Sequence, residues 1–296
     1  MWFKQVQLFQ ISGLEGYSPR GLEEKLEKLI FQESLSFMTY GSGWVSPVDE
    51  EGASLVQALK HYWMICLQIE EKLLPPAVIR QELDKKIKQV ELQENRKVGA
   101  KEKYAMKDEI ITTLLPRAFS KLTKVYAYID TKNNWLVLGT SNAKKTEQFM
   151  TVFKKTVGDY LQPFPVKKLS GIMTSWLQHQ NYSTSFSVEK ACVLQDANYQ
   201  PRVIRCREQD LFAPSIQSLI KEGCEVKQLS LNWHDHVDFV LLDDLSLQSI
   251  RFKEKIIGEA EEMEAESALQ QFHADFLIMT ETLSGLFSDL IGLLDV

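Results

Sequence analysis

Cysteines, histidines and long apolar runs are all scarce in this sequence. The four cysteines form no C-x-x-C pair and match no zinc-ribbon spacing, which predicts free buried thiols rather than a redox or metal site. The stretch "MWFKQVQLFQ" lacks the apolar core of a signal peptide. No uninterrupted apolar run approaches the roughly 20 residues that a bilayer span needs. We therefore expect a soluble, cytoplasmic protein without a membrane partner.

Common enzyme signatures are absent as well. The sequence has no G-x-x-x-x-G-K-[ST] phosphate loop, no G-x-G-x-x-G and no G-x-S-x-G elbow. We expect no catalytic activity and no cofactor. One stretch, "NWHDHVDFVLLDD", has catalytic character, since a strand would place His234, His236 and Asp238 on one face as three potential metal ligands. A metal-dependent nuclease is therefore one alternative, and a solvated strand face is the other explanation of the same residues.

Negative charges outnumber positive ones overall, but positive charge is concentrated in one segment. The 296 residues contain 34 Lys+Arg and 40 Asp+Glu, a formal charge of −6. Residues 72–155 nevertheless hold 18 basic and 9 acidic residues, whereas the last 54 residues hold 3 basic and 12 acidic ones. Such segregation is typical of a protein that meets a polyanion with one part of its surface. An acidic isoelectric point does not exclude nucleic-acid binding when the positive charge is local.

The first half of the chain mixes strand and helix patterns. Ser18 and Pro19 are typical of a helix start, and "HYWMICLQIEEK" predicts a strand from about residue 62 to 69. The glycine-rich "YGSGWVSP" predicts a loop. "KVYAYID" and "WLVLGT", separated by "TKNN", predict a β-hairpin.

Between these strands the pattern changes to a helical hairpin. Apolar residues at helical spacing predict helices over about residues 77–90 and 101–115, joined by the basic turn "ENRKVGAKEK" and ended by Pro116. This hairpin could present its charges to phosphates without reading base sequence, because no groove-reading module is visible. The candidate contacts in and beside it are Arg96, Lys97, Lys101, Lys103 and Arg117.

The second half repeats the mixture. It predicts strands at "FSVEKACVL" and "PRVIRCREQDL", a short helix after Pro214, three β segments over residues 227–252 and a long helix from about 265 to 294. The predicted class is α+β, with antiparallel sheets, packed helices and a projecting helical hairpin. The expected domains are a central α+β domain (1–74 plus 117–163), a basic hairpin or tip (75–116), and a base α+β domain with an acidic C-terminal helix (164–296).

Phe119 lies in "LLPRAFSKLTK", where every charge is positive. Three explanations stay open from the residues alone. The ring could stack on a nucleic-acid base, anchor a contact with another subunit, or begin the following strand as an ordinary core residue.

Taken together, several stretches resemble one known family along nearly the whole chain. They are "MWFKQ", "EEKLLPPAVIRQELDKKI", "TLLPRAFSKL", "YIDT", "SNAKKTE", "VIRCREQDL" and "FHADFLIMT". In this order they are similar to the RdgC family of recombination-associated proteins of proteobacteria.

The resemblance implies a nucleoid-associated DNA-binding protein without catalytic activity. Members of that family form a homodimer closed into a ring, which encircles double-stranded DNA, binds with little sequence preference, also to single strands, and restrains the RecA recombinase by competing for DNA. The resemblance makes Phe119 a gate contact between the two tips. It places Arg205, Arg207 and Gln209 along the hole, where Glu208 departs from a basic lining. A scaffold that docks an acidic protein is the remaining alternative for the basic hairpin.

Overall fold

The structure is a computed structural model that describes residues 1–13, 16–50, 52–158, 160–166, 169–199, 202–262, 265 and 267–294 of the chain. Within these residues there are two antiparallel sheets and eight α-helices. The α+β class predicted from the sequence is therefore confirmed.

The first sheet contains seven strands from the first half of the chain. They are β1 (Gln7–Ile11), β2 (Tyr40–Val45), β3 (Gln57–Leu59), β4 (Tyr62–Lys72), β5 (Ser120–Asp130), β6 (Trp135–Leu138) and β7 (Leu161–Pro163). Their order is β2-β4-β5-β6-β1-β7, with β3 paired to β4. The predicted β-hairpin is confirmed as β5 and β6, and Asn134 in its turn has a φ of 57°.

The second sheet contains five strands. They are β8 (Phe186–Asp196), β9 (Val203–Cys206), β10 (Cys224–Trp233), β11 (Val237–Leu242) and β12 (Leu247–Phe252). The order is β12-β11-β10-β8-β9, so β9 and β12 are its edges. The three β segments predicted for residues 227–252 are confirmed as β10 to β12.

The helices pack around the sheets or form the hairpin. They are α1 (Pro19–Leu26), α2 (Pro76–Glu94), α3 (Ala100–Leu114), α4 (Ala143–Val157), α5 (Leu169–His179), α6 (Pro214–Lys221), α7 (Glu254–Glu261) and α8 (Ala268–Leu294). At the start of α1, Ser18 Oγ accepts the backbone N–H of Gly21 at 3.1 Å, as its capping pattern predicts. The sequence patterns did not indicate α5 and α7.

Two hydrophobic cores lie on opposite faces of the first sheet. One core packs α1 and α4 against the sheet, with Trp44 fully buried beside Phe149 and Phe153. The other runs from the sheet through α8 to the second sheet. Because this core joins residues from both halves of the chain, the three-part domain division remains a prediction.

Helix α8 is long and apolar enough to cross a membrane by length and composition alone. Its apolar stripe, however, packs into the protein. Phe276 meets Tyr128 with ring centroids 6.3 Å apart, and Phe287 meets Trp135 at 6.2 Å. These contacts bury part of the apolar surface of the helix.

The prediction of a loop at "YGSGWVSP" is wrong, because residues 40–45 form the edge strand β2. The glycines that suggested a loop instead make room for neighbouring backbone. A Cβ on Gly43 would lie 2.4 Å from the Cα of Phe31, and one on Gly41 would lie 3.0 Å from the Cβ of Ser34. The segment that follows α1 therefore crosses closely over β2, a close approach that glycine in a strand permits.

The α2–α3 hairpin stands apart from both cores. The two helices pack mainly on each other, and none of their residues belongs to either core cluster. Helix α2 buries no residue fully, whereas α3 buries Met106 and Ile110. The predicted hairpin is confirmed, with most of its surface exposed.

The four cysteines are free and buried, as predicted. Burial raises the pKa of the Cys66 thiol to about 12. Burial also raises the pKa of Cys192 to about 12, and the neighbouring Cys206 adds to the effect. Both thiols are therefore protonated at neutral pH.

Candidate nucleic-acid interface

The turn of the hairpin is organised by Arg96. Helix α2 ends at Glu94, and Asn95 takes a left-handed φ of 49°. The guanidinium group of Arg96 then donates two parallel hydrogen bonds to Glu102, both 2.8 Å, and a third of 2.6 Å to Glu94. Val98 is buried just beyond, with its backbone N–H donated to Glu91 at 3.1 Å. The turn is thus closed by a bidentate arginine–carboxylate pair.

These hydrogen bonds change what Arg96 offers to a ligand. Glu102 and Glu94 raise the pKa of Arg96, and Arg96 lowers the pKa of Glu102. Two carboxylates compensate the charge of Arg96, and their hydrogen bonds with its guanidinium group stabilise the turn of the hairpin. A contact of Arg96 with DNA remains a prediction, and the structure gives this residue the weakest free charge of the predicted set.

The three lysines around the turn are exposed and unpaired. Lys97, Lys101 and Lys103 have no carboxylate within ion-pair distance among the described residues. In the body of the hairpin, by contrast, Lys85 pairs with Glu82 at 2.7 Å and Lys86 pairs with Glu109 at 2.5 Å. Arg80, Lys88 and Lys107 in the body are exposed and have no ion pair among the described residues either, so the free positive charge extends from the tip along the hairpin.

Phe119 is strongly exposed. Its relative exposure is 83%, so the core explanation is wrong, and the residue lies just before β5. Leu122, Leu73 and Val78 nearby are exposed as well, and Arg117 and Lys121 flank the ring in sequence. The backbone carbonyl of Phe119 accepts the N–H of Leu73 at 2.7 Å, which holds the backbone of Phe119 beside the end of β4. An exposed aromatic with apolar neighbours and flanking cations suits a base or another subunit.

A buried carboxylate anchors the segment that carries Phe119. Glu70 on β4 is 5% exposed, and its side chain accepts hydrogen bonds from the hydroxyl of Ser120, the hydroxyl of Ser34 at 2.6 Å and the backbone N–H of Ser34 at 2.8 Å. These bonds lower the pKa of Glu70 to about 2. The ammonium of Lys72 lies 3.9 Å away. Through Glu70, this network connects Ser34, in the segment that crosses β2, to Ser120, the residue next to Phe119.

The outer face of the second sheet forms a shallow groove of about 640 Å³. Arg205 on β9 and Arg207 just beyond it line one side, and Lys190 lies next to them on β8. Arg251 on β12 lines the opposite side. Among the described residues, none of these four cations forms an ion pair within 4.0 Å.

Gln209 lines a neighbouring depression, and Glu208 stands between that depression and this groove. Gln209 donates its backbone N–H to the carbonyl of Lys190 at 3.4 Å. Glu208 has a left-handed φ of 51°, is exposed, and borders both depressions. Its carboxylate therefore faces the same rim as Arg205 and Arg207, where it opposes their charge.

The placement predicted for the nuclease residues is wrong. His234 and His236 lie in the tight turn between β10 and β11, where His234 and Asp235 both have positive φ, so they do not share a strand face with Asp238. Asp238 accepts hydrogen bonds from Asn232 at 2.7 Å and from Lys253 at 2.8 Å. Within the described part of the chain, no three His, Cys, Asp or Glu side chains are grouped to hold a metal ion.

Sequence reasoning missed Arg251 and Lys190. Both lie in strands, at exposed positions. A strand alternation over residues 247–252 would have placed Arg251 on the solvent face. Only the sheet order could bring it to the same groove as Arg205.

The fold and these surfaces define an α+β protein of two antiparallel sheets, in which the cations of the hairpin tip and of one sheet face have no ion-pair partner within the described part of the chain. The chain belongs to the RdgC family, since the family model described as "Putative exonuclease, RdgC" matches residues 1–296. It is 32% identical over 286 residues to "Recombination-associated protein RdgC" of Aeromonas hydrophila, covering 96% of this chain and 94% of the relative. It is 33% identical over 298 residues to the protein of the same name from Yersinia enterocolitica, covering 98% and 97%.

Proposed function

We propose that this protein binds DNA without catalysis and without sequence preference, and that it takes part in recombination as its relatives' names state. The observation that carries the proposal is the set of exposed basic side chains without ion-pair partners among the described residues. They lie on the hairpin tip and in the groove of the second sheet, in a chain whose net charge is −6. Free cations can release condensed counterions from phosphates, which drives nonspecific binding.

The assembly that we propose is a homodimeric ring around duplex DNA in the cytoplasm, on the nucleoid. Its support is the exposure of Phe119, which leaves a large aromatic ring available to a second copy. Two-fold pairing would bury both copies of the ring in one self-complementary contact. A closed ring on DNA would limit the access of RecA to the same DNA. Single strands would bind through the same cations.

The first test is the affinity for two unrelated duplexes, measured by fluorescence anisotropy between about 50 and 200 mM salt. Equal affinities that fall steeply with salt support the proposal. Absence of binding at low salt would refute it and would favour an acidic protein as the partner of the hairpin.

A matched set of charge variants locates the surface. Changing Lys97, Lys101 and Lys103 to glutamine should lower the slope of log K against log salt by about 2 to 3, because each phosphate contact contributes about 0.9. Changing Lys85 and Lys86, which are already paired with carboxylates, should have a smaller effect. Equal effects of the two sets would remove the tip from the site.

The description of the family as an exonuclease calls for a direct check. Purified protein incubated with end-labelled linear DNA and Mn²⁺ or Mg²⁺ should leave the DNA intact. Progressive shortening that persists in the His234→Ala variant would show a nuclease activity that our proposal denies, and it would place that activity away from the β10–β11 turn.

A further inference from the structure

Two of the four buried cysteines are direct neighbours across strands. Cys192 on β8 and Cys206 on β9 are Cα partners in the antiparallel ladder, so their side chains leave the sheet on the same face. The two thiols are within hydrogen-bonding contact. The Cα partners of Cys66 and Cys224 are not cysteines. Cys192 and Cys206 are therefore the thiols that a disulfide within the native chain would join.

The spacing of the ladder suits a disulfide at this pair. The backbone N–H of Asp196 donates to the carbonyl of Arg202 at 3.1 Å, which makes these two residues a hydrogen-bonded pair. Such pairs recur at every second residue along the ladder. Cys192 and Cys206 are thus another hydrogen-bonded pair, with Cα atoms about 5.5 Å apart. Disulfides span Cα separations of roughly 4.4–6.8 Å, so the two strands can be bridged without a change of register.

Strand β9 is free to move toward β8 when the bond forms. It has only four residues and is an edge of its sheet, so no strand among the described residues holds its far side. Cβ atoms across an antiparallel pair are about 4.5–5.5 Å apart, whereas a disulfide needs about 3.5–4.5 Å. Closure therefore draws the end of β9 inward by up to ~1 Å. The strain that this stores makes the bond easier to reduce again.

The edge position also gives a small oxidant a route to the thiols. Cys206 is 7% exposed and Cys192 is 3% exposed, so solvent does not reach them freely. Cys206, however, is the last residue of β9, and the end of a short edge strand opens at a low cost in free energy. Burial, with a further effect of Cys206, raises the pKa of Cys192 to about 12. Because thiolate is then scarce at neutral pH, oxidation should take minutes to hours rather than seconds.

We infer that Cys192 and Cys206 are a redox-active dithiol, which hydrogen peroxide converts reversibly to a disulfide. The sulfur of Cys206 attacks one peroxide oxygen, the O–O bond breaks, and the other oxygen leaves as water with the thiol proton, so that Cys206 becomes a sulfenic acid. The sulfur of Cys192 then displaces the hydroxyl group of the sulfenic acid, which takes the Cys192 proton and leaves as a second water. The peroxide has gained the two electrons that the thiols have lost, and a dithiol reductant reverses the change. The bond ties the strand that carries Arg205 to β8, and the inference does not depend on DNA binding.

The test is a peptide map of the native protein after treatment with hydrogen peroxide. Remaining thiols are alkylated with iodoacetamide in denaturant, and the protein is digested with trypsin without reduction. Because trypsin cleaves after Arg202, the two cysteines fall on different peptides unless a disulfide joins them. We expect one joined pair of peptides, containing Cys192 and Cys206, with a combined mass that lacks the two thiol hydrogens. Treatment with dithiothreitol before alkylation should abolish this pair.

Two variants and one change of conditions serve as controls. Cys206→Ser should abolish the joined peptides and leave Cys192 alkylated, whereas Cys224→Ser, on the neighbouring strand β10, should leave them unchanged. Wild type oxidised in urea should give mixed cysteine pairs, because the ladder that selects the partner is lost. The map of the wild type decides the question even if a variant fails to fold. Four alkylated cysteines after prolonged treatment of the native protein, or a link that involves Cys66, Cys224 or a second chain instead, would overturn the inference.

Discussion

Replacing Phe119 by serine separates a dimer contact from a structural role. Because the ring is 83% exposed in one copy of the chain, its loss should change the free energy of unfolding by no more than ~0.5 kcal/mol. If the ring is buried against a second copy, full burial contributes ~1.5–3 kcal/mol for each phenylalanine. A two-fold contact buries two rings, so the dimer dissociation constant should rise by about 10²- to 10⁴-fold.

The assay is sedimentation equilibrium over a range of protein concentrations, followed by retention on covalently closed plasmid against the same plasmid linearised. Tyr199→Ser is the control, since this side chain is 64% exposed in the β8–β9 loop. We expect Phe119→Ser to weaken the dimer and to reduce retention on circular DNA more than on linear DNA. An unchanged dimer together with equal losses on both DNAs would refute the gate and indicate stacking on bases.

Three further predictions concern charge, packing and pH. Glu208→Gln should tighten DNA binding several-fold at low salt, because it removes an opposing charge from a rim of the groove; anisotropy that shows no change would place Glu208 away from the DNA. Gly43→Ala should lower the melting temperature by several degrees, because the new methyl group would collide with the backbone of Phe31. Gly171→Ala, which has open space, should not, and equal melting temperatures would contradict the close crossing. The Glu70 pKa, lowered from 4.5 to about 2, contributes stability that is complete above about pH 4.5 and lost as the pH falls toward 2. Urea titrations from pH 3 to 7 should show this loss in the wild type and a smaller one in Glu70→Gln.

Local signals in the sequence predicted most of the fold. The cap at Ser18, the hairpin turn at Asn134 and the helical spacing over α2 and α3 depend on neighbours a few residues apart. The sequence did not predict strand β2, because glycine usually interrupts a strand. Here Gly43 is required by backbone from residue 31, a contact between distant parts of the chain that no local pattern contains.

The candidate site was predicted less completely, for the same reason. Clustering along the sequence found the lysines of the tip but could not distinguish them from Arg96, which two carboxylates compensate. Arg251 was missed because its partner rim lies about 45 residues earlier and four strands away. The sequence left three explanations of Phe119 open, because its neighbours suit a strand, an interface or a stacking site equally well. Only the structure shows that the side chain is exposed.

The acidic net charge and the proposed DNA binding are compatible because electrostatic attraction in salt is short-ranged. At physiological ionic strength the screening length is about 8 Å, so a phosphate responds to the cations that it touches rather than to the total charge of −6. What matters at contact is whether a cation already has a carboxylate partner. Lys101 and Arg251 have none among the described residues, whereas Arg96 and Lys86 do. Removing acidic groups from exposed positions far from the groove and the tip, such as Glu24 on α1, should therefore change the affinity for DNA less than the single substitution at Glu208.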